Sequence, residues 1–212
     1  MRRSSRPPAS LDWELDLLDH LAAHGIAVPR TLPAEDGRRH VEGVLVQEFL
    51  PGRPPRDVAD WARVVRVLGA VHELTVGWPQ RPGFASSRTL LTSARGGDVD
   101  LDAMPADAVD LVRSSWVPLH DAADCVVHGD VGTGNVLIGP DAVALLDWDE
   151  SRVDSPWFDL APLSADVPVS WPGDRDVLVT AGVAWEAATC WVVEPDYAAT
   201  VLSGLRNRAR RH

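Results

Sequence analysis

Four polar side chains have types and spacing that suit chemistry: His128, Asp130, Asn135 and Asp147, in the pattern H-x-D-x4-N followed twelve positions later by a second Asp. An amide oxygen and a carboxylate make a hard donor pair, which suits Mg²⁺ holding the phosphates of a nucleotide and suits soft metals poorly. Asp130, five residues before Asn135, can accept or orient the proton of a substrate hydroxyl. Taken singly, each of these residues also reads as a turn former or a core histidine. Jointly, the spacing points to phosphoryl transfer. Gly129, Gly132 and Gly134 free the intervening backbone to approach phosphates and to adopt positive φ.

The elements around this window are those that must position it. Val136-Leu137-Ile138, a turn at Gly139-Pro140-Asp141 and Val143-Ala144-Leu145-Leu146 form a β-hairpin. With its centre near Asp141, paired residue numbers sum to about 282, which sets Asn135 beside Asp147 at the open end. Upstream, Ser10 reads as the cap of a helix bearing Leu11, Leu15, Leu18 and Leu21 at helical spacing and stopped by Gly25. Arg30 to Leu32, a turn at Glu35-Asp36-Gly37 and Val41 to Leu50 make a second hairpin. The Pro/Gly-rich LPGRPPR follows as a hinge. DVADWARVVRVLGAVHELT is then helical, with Val58, Trp61, Val64, Val65, Leu68 and Val71 on one face. Residues 77 to 107 read mostly as loop with a short helix near Ser87 to Ser93. A helix over residues 106 to 122 and two or three more between Asp174 and Arg211 complete an α+β chain.

The 212 residues suffice for one domain, or one domain and a small lobe. A net charge of -11 disfavours nucleic acid, whose binding rests on Lys and Arg neutralising phosphates. Lysine is absent, so all 20 basic residues are Arg. The basic RNRARRH tail reads as a solvated helix end. Cys125 and Cys190, in apolar contexts with no metal or pairing spacing, read as reduced thiols. MRRSSRPPAS leads into an acidic amphipathic stretch rather than an apolar signal core, and no window approaches a membrane span. A cytoplasmic protein with a small-molecule substrate is the expectation.

VVHGDVGTGNVLIGPDAVALLDWDESRVDSPWFDLA resembles the signature of the aminoglycoside phosphotransferase and choline kinase superfamily: HGD, a loop to Asn, a strand, an acid followed by Trp, and a later DLA. LVQEFLPG, LGAVHEL and WEAATCWVVEPDYAATVLSGL extend the resemblance over about residues 10 to 205. The resemblance implies a protein kinase-like fold. A reduced N-lobe of helix plus β-hairpin would span 1–50, with its hinge at 47–52, and a mainly helical C-lobe carrying both loops would span 51–212. It implies ATP (or GTP) and Mg²⁺ as cofactors, Asp130 as catalytic base, and Asn135 and Asp147 as metal ligands. His128 belongs to the catalytic set as a brace for the loop. Backbone groups of Gln47, Glu48 and Phe49 would meet the adenine. Asp159 is expected to anchor the catalytic loop, and Asp149 reads equally as a second metal or substrate ligand and as a surface or capping acid.

The family's glycine-rich strand pair and strand lysine have no counterpart before the first helix, so the chain looks N-terminally shortened. Glu14 resembles the glutamate that pairs with that lysine; Arg2, Arg3 or Arg6 could supply the charge, though nothing in the sequence fixes them on a strand. A two-stranded hairpin would leave the Val44 to Phe49 strand with a bare edge, expected to be covered by the N-terminal arm, a second copy or a partner protein. The functional expectation is a phosphotransferase acting on the hydroxyl of a small molecule, with a cationic one as a candidate. The alternative is a nucleotide-binding pseudokinase or accessory subunit. Trp148, Trp157, Trp171, Trp185 and Trp191, with Asp149, Glu150, Asp154, Asp166, Glu186, Glu194 and Asp196 among them, suit a cationic substrate, but suit an ordinary Trp-rich helical core slightly better.

Overall fold

The computed structural model describes residues 1–121, 123–170 and 174–210; Ala122, Trp171 and Arg211, named in the expectations above, lie outside the described residues. In chain order the elements are β1 (Arg2–Arg3), α1 (Pro8–Ala23), β2 (Thr31–Leu32), β3 (Val44–Gln47), α2 (Val58–Leu74), α3 (Ser87–Leu90), β4 (Arg95–Gly96), β5 (Val99–Asp100), α4 (Ala106–Trp116), β6 (Cys125–Val127), β7 (Val136–Ile138), β8 (Val143–Leu145), β9 (Arg152–Asp154), α5 (Trp157–Leu160), α6 (Arg175–Thr189) and α7 (Pro195–Ala209). They fall into two compact units. One comprises Met1–Thr75, His128–Ser151 and Ser164–Pro168; the other comprises the described residues of Val76–Val127, Arg152–Leu163 and Val169–His212.

In the first unit, α1 buries Leu11, Leu15, Leu18 and Leu21 as their spacing predicts, together with Trp13, Glu14 and Leu17. The helix begins three residues before the expected start. Pro7 is the cap and Ser10 lies buried in the first turn, where Ser10 and Leu11 N–H groups both donate to the Pro7 carbonyl at 3.0 Å. Proline's fixed φ and missing donor suit a first turn, so no side-chain cap is needed. Gly25, at φ +82°, ends the helix: its N–H reaches Ala22 O and the Ile26 N–H reaches Leu21 O, the paired bonds of a Schellman end.

The expected hairpin forms, with β2 antiparallel to β3 in the register Thr31↔Gln47. It is not left with a bare edge. The N-terminal arm pairs along the other side of β3, Arg2↔Leu45 and Arg3↔Val44, giving a three-stranded sheet in the order β1-β3-β2. β3 is entered through a tight turn in which Glu42 and Gly43 have φ of 51° and 76°, the left-handed pair that a two-residue hairpin loop requires. Ser4 N–H donates to Gly43 O at 2.8 Å, and a Cβ at Gly43 would lie 2.5 Å from Ser4 O. The arm therefore fits only over glycine.

Helix α2 is capped by Asp57, which accepts from the Asp60 N–H at 2.9 Å. Asp60 in turn accepts from the Arg56 N–H and the Arg53 guanidinium, tying the hinge peptide to the helix start. Val64, Leu68 and Val71 are buried as expected, but Val58, on the first turn ahead of the buried stripe, is 44 % exposed. Hairpin β7–β8 is anchored twice. Arg53 and Ile138 exchange backbone hydrogen bonds of 3.2 and 2.7 Å, and Leu145 N–H donates to Ala27 O at 3.1 Å. Gly52 makes the first anchor possible, since a Cβ there would sit 2.8 Å from the Leu137 Cβ.

The second unit is mainly helical. Trp116, Val112, Ala181, Ala184, Ala188 and Leu202 belong to its buried core, with Trp157, Trp185 and Trp191 packed against it. A small β4–β5 hairpin occupies part of the stretch expected to be loop. β6 pairs with β9, where Arg152 is 1 % exposed, bonds Asp154 at 3.0 Å and lies 3.5 Å above the Trp185 ring. Burial holds the Cys125 thiol far above its ordinary range, so it stays protonated, and both cysteines are free. No helix among the described residues is long and apolar enough to cross a membrane.

Candidate active site

The residues singled out by spacing, apart from Asp159, lie in the first unit. Val136 pairs with Leu145 and Ile138 with Val143, closed by a Gly139 N–H to Ala142 O bond of 2.9 Å around Pro140-Asp141. Paired numbers thus sum to 281 in the observed register (136 + 145), one less than expected. Asn135 therefore faces Leu146, whose N–H donates to its carbonyl at 2.8 Å, and Asp147 is the next residue on. Asp147 adopts φ +54°, a left-handed conformation uncommon for a residue with a Cβ. Such strain persists where the surroundings over-determine it, typically at functional sites. Its carboxylate is exposed and, among the described residues, has no hydrogen bond or ion pair.

Asn135 places its side chain by chemistry. Its Nδ2 donates to the Asp130 carbonyl at 3.0 Å and to the Asp130 carboxylate at 2.7 Å. The opposite amide orientation would set oxygen against oxygen twice, so the assignment is determined. Both donors are spent on Asp130, and Oδ1 is left as an acceptor. Asp130 itself is exposed.

His128 is wholly buried and cannot touch a substrate. One ring nitrogen, Nδ1, accepts from the Asp130 N–H at 3.3 Å, which puts the proton on Nε2, and Nε2 donates to Leu146 O at 2.7 Å. The ring lies 4.7 Å from that of buried Trp148. His128 is thus a positioning residue: it ties the backbone of Asp130 to the residue immediately before Asp147. Of the three loop glycines, only Gly129 has positive φ, at 87°; Gly132 and Gly134 do not, and open space surrounds both.

Glu14, fully buried in α1, does have a partner. Arg2 on β1 donates to it from Nη1 at 2.5 Å, and from Nη2 to Asp149 at 2.8 Å. Burial pulls the Arg2 guanidinium's pKa down, but the hydrogen bond to Glu14 and the carboxylates of Glu14, Asp149 and Asp147 outweigh it, and the net direction is upward. Arg6 bonds the other Asp149 oxygen at 2.9 Å and Glu150 at 3.1 Å. Asp149 is therefore clamped between two arginines rather than turned toward a metal. In the hinge, the Glu48 N–H is committed to Arg30 O at 2.9 Å, whereas those of Phe49 and Leu50 meet no backbone acceptor among the described residues. Gln47 is half-buried, and Phe49 is 89 % exposed.

A family model described as the phosphotransferase enzyme family matches residues 1–198. The chain belongs to the phosphotransferase enzyme family. It is 30 % identical over 173 residues to homoserine kinase of Gluconacetobacter diazotrophicus, a match that takes in 73 % of this chain and 53 % of that protein, so the chain spans about half the length of this curated relative. Choline kinase from Streptococcus pneumoniae superposes with a TM-score of 0.64 at 15 % identity, covering 96 % of this chain and 80 % of that one. Amicoumacin kinase in complex with AMP-PNP and Ca²⁺ gives 0.56 at 17 % identity, covering 95 % and 77 %. These likenesses show the α+β, protein kinase-like fold of the family.

Arg2 is the partner of Glu14 that sequence reasoning left unplaced. Its one local signal is Glu14, an acid on the apolar side of an amphipathic helix, which must bury a charge and hence must find a cation. The described tryptophans of the last third, Trp148, Trp157, Trp185 and Trp191, are buried or packed against a core, and Asp149, Glu150, Asp154 and Glu186 are engaged within the protein. They lend no support to a cationic acceptor.

Proposed function

We propose that this protein is an ATP- and Mg²⁺-dependent phosphotransferase that phosphorylates a hydroxyl of a small molecule. The observation that carries the reading is the Asn135 amide. By spending both donors on Asp130, it orients the proposed base and presents Oδ1 as a hard oxygen, one residue in register from the open carboxylate of Asp147. An amide oxygen and a carboxylate fit Mg²⁺, which takes few protein ligands and completes its octahedron with water and substrate phosphates. Among the described residues no group of three His, Cys, Asp or Glu side chains gathers to hold a metal by itself, in keeping with a donor set completed by the nucleotide. When bound, the ion supplies charge neutralisation at the transferring phosphoryl group.

Asp130, exposed and fixed by two hydrogen bonds from Asn135, accepts the proton of the acceptor hydroxyl. As that oxygen forms its bond to the terminal phosphorus, the bond from phosphorus to the bridging oxygen breaks. The nucleoside diphosphate leaves with the bonding electron pair, and Asp130 passes its proton to solvent. The hinge peptide at Gln47 to Leu50, with the Phe49 and Leu50 N–H groups uncommitted, suits the edge of a purine.

ATP consumption measured against a panel of hydroxyl compounds, for wild type and Asp130→Ala, tests the reading. Acceptor-dependent turnover abolished by the substitution is the expected result. Nucleotide binding without acceptor-dependent turnover across the panel would instead identify a binding protein.

A further inference from the structure

At the closed end of the β7–β8 hairpin lies a cleft of about 260 Å³, bounded by Gly25 to Ala27 just after α1, by α2 and by the turn residues Asp141 and Ala142. All of it belongs to the first unit. Three charged residues line it: Arg63 and Arg66 on α2, three positions apart and hence neighbours on the helix surface, and Asp141 on the turn. A guanidinium carries five N–H groups. Arg63 spends only Nη2, which donates to the Gly139 carbonyl at 3.1 Å and to the Ala142 carbonyl at 3.5 Å. The turn thereby fixes the side chain, while its Nε and Nη1 hydrogens stay unspent among the described residues. Arg66 and Asp141 are exposed and, among the described residues, neither makes a side-chain hydrogen bond or ion pair. Two cations and an anion thus share one cleft without neutralising one another.

We propose that this cleft binds a small zwitterion, an α-amino acid with a small apolar side chain, its carboxylate on Arg63 and Arg66 and its ammonium on Asp141. The cleft asks for charge of both signs. A simple anion would meet the Asp141 carboxylate as a like charge, and a simple amine would meet two guanidinium groups. Arginine suits the carboxylate end, because its planar fork matches that group's geometry. Between the charges, Ile26, Ala27, Val67 and Val143 offer apolar surface. Volume argues in the same direction: the cleft falls just below the roughly 300–1,000 Å³ usual for ligand sites, so it suits a ligand of amino-acid size and not a nucleotide. A neighbouring cleft of about 420 Å³ shares Arg63, but its other cation, Arg53, is committed to Asp60. The site stands apart from the proposed metal ligands. Gly139 is four residues from Asn135, roughly 13 Å at strand spacing. Binding there needs neither Asp130 nor Mg²⁺, and it holds whether or not the phosphotransferase reading does.

The test is isothermal titration calorimetry of the full chain with L-valine, beside isovalerate and isobutylamine, which are L-valine without its ammonium and without its carboxylate. None of the three carries an alcohol, so none is an acceptor for the proposed phosphoryl transfer. The expected result is saturable binding of L-valine with a Kd of about 1 mM or tighter, and binding at least tenfold weaker for the two truncated compounds. Arg66→Gln and Asp141→Asn alter exposed side chains that have no partner among the described residues, so both variants should fold as wild type does. Each should raise the Kd for L-valine at least tenfold. Absence of saturable L-valine binding, truncated compounds that bind as tightly as L-valine, or either variant binding it like wild type would overturn the assignment.

Discussion

Replacing His128 with Phe isolates the brace from the chemistry. The phenyl ring keeps the volume and the contact with Trp148, which lies 4.7 Å from the native ring, but removes the donor to Leu146 O and the acceptor of the Asp130 N–H. Leaving a buried backbone group without its partner costs about 1–3 kcal/mol. Both groups here are only partly buried, so the lower part of that range applies to each and the sum is about 2–3 kcal/mol. For a chain of this size that corresponds to a fall in Tm of about 4–12 °C, which differential scanning fluorimetry resolves. The same two bonds fix the peptide of Asp130 and the residue before Asp147, and displacing reacting groups by about 1 Å costs about 10²-fold in rate. Steady-state kinetics of His128→Phe should therefore show kcat reduced by about two orders of magnitude, with KM for the nucleotide within about threefold of wild type. A variant that melts and turns over like wild type would refute the reasoning, because it would mean that neither bond constrains the loop.

Two other perturbations probe the scaffold. Gly43→Val puts a β-branched residue at φ 76° with its Cβ 2.5 Å from Ser4 O, at a cost of about 1–3 kcal/mol; it should free the arm and speed limited tryptic cleavage after Arg2 and Arg3, read by mass spectrometry. Asp60 is held below the ordinary carboxylate range by hydrogen bonds from Arg53 and the Arg56 N–H. A lowered folded pKa contributes stability that is present above the unfolded value, about 3.9, and lost as pH falls through the folded value. Urea melts of wild type and Asp60→Asn should differ at pH 7 and converge only as pH falls through the lowered folded value of Asp60.

Periodicity made α1, α2 and the β7–β8 hairpin legible, because in each the apolar pattern and the tertiary burial agree. The hairpin register missed by one residue because its tight turn is centred between Pro140 and Asp141 rather than on Asp141, a half-residue shift that moves every pair by one. Asp147's left-handed backbone was invisible for a related reason: the residue type does not announce it as glycine would. β1 was unreadable locally. Two arginines have no strand signature of their own, and they become a strand only because β3 offers an edge and Glu14 and Asp149 offer charge. The β4–β5 hairpin is likewise too short to carry an alternation. The identities of Asp130, Asn135 and His128 were legible from spacing, whereas the use of both Asn135 donors on one aspartate emerges only from the side-chain geometry.

The clamp on Asp149 also orders events in time. Arg2 precedes Asp149 by 147 positions in the chain. At about 5–20 residues per second, the arm waits about 7–30 s for the carboxylate that holds it. Until then Glu14, only 12 positions from Arg2, is its near partner, and the edge of β3 is available as soon as Val44 and Leu45 have emerged. The arm is thus locked long after it is made, and the loop that carries the proposed metal ligand completes the clamp that holds it. Vectorial synthesis makes this corner of the molecule a late checkpoint: a nascent chain can build its helices early, but it cannot finish the Arg2–Asp149 corner until its metal loop exists.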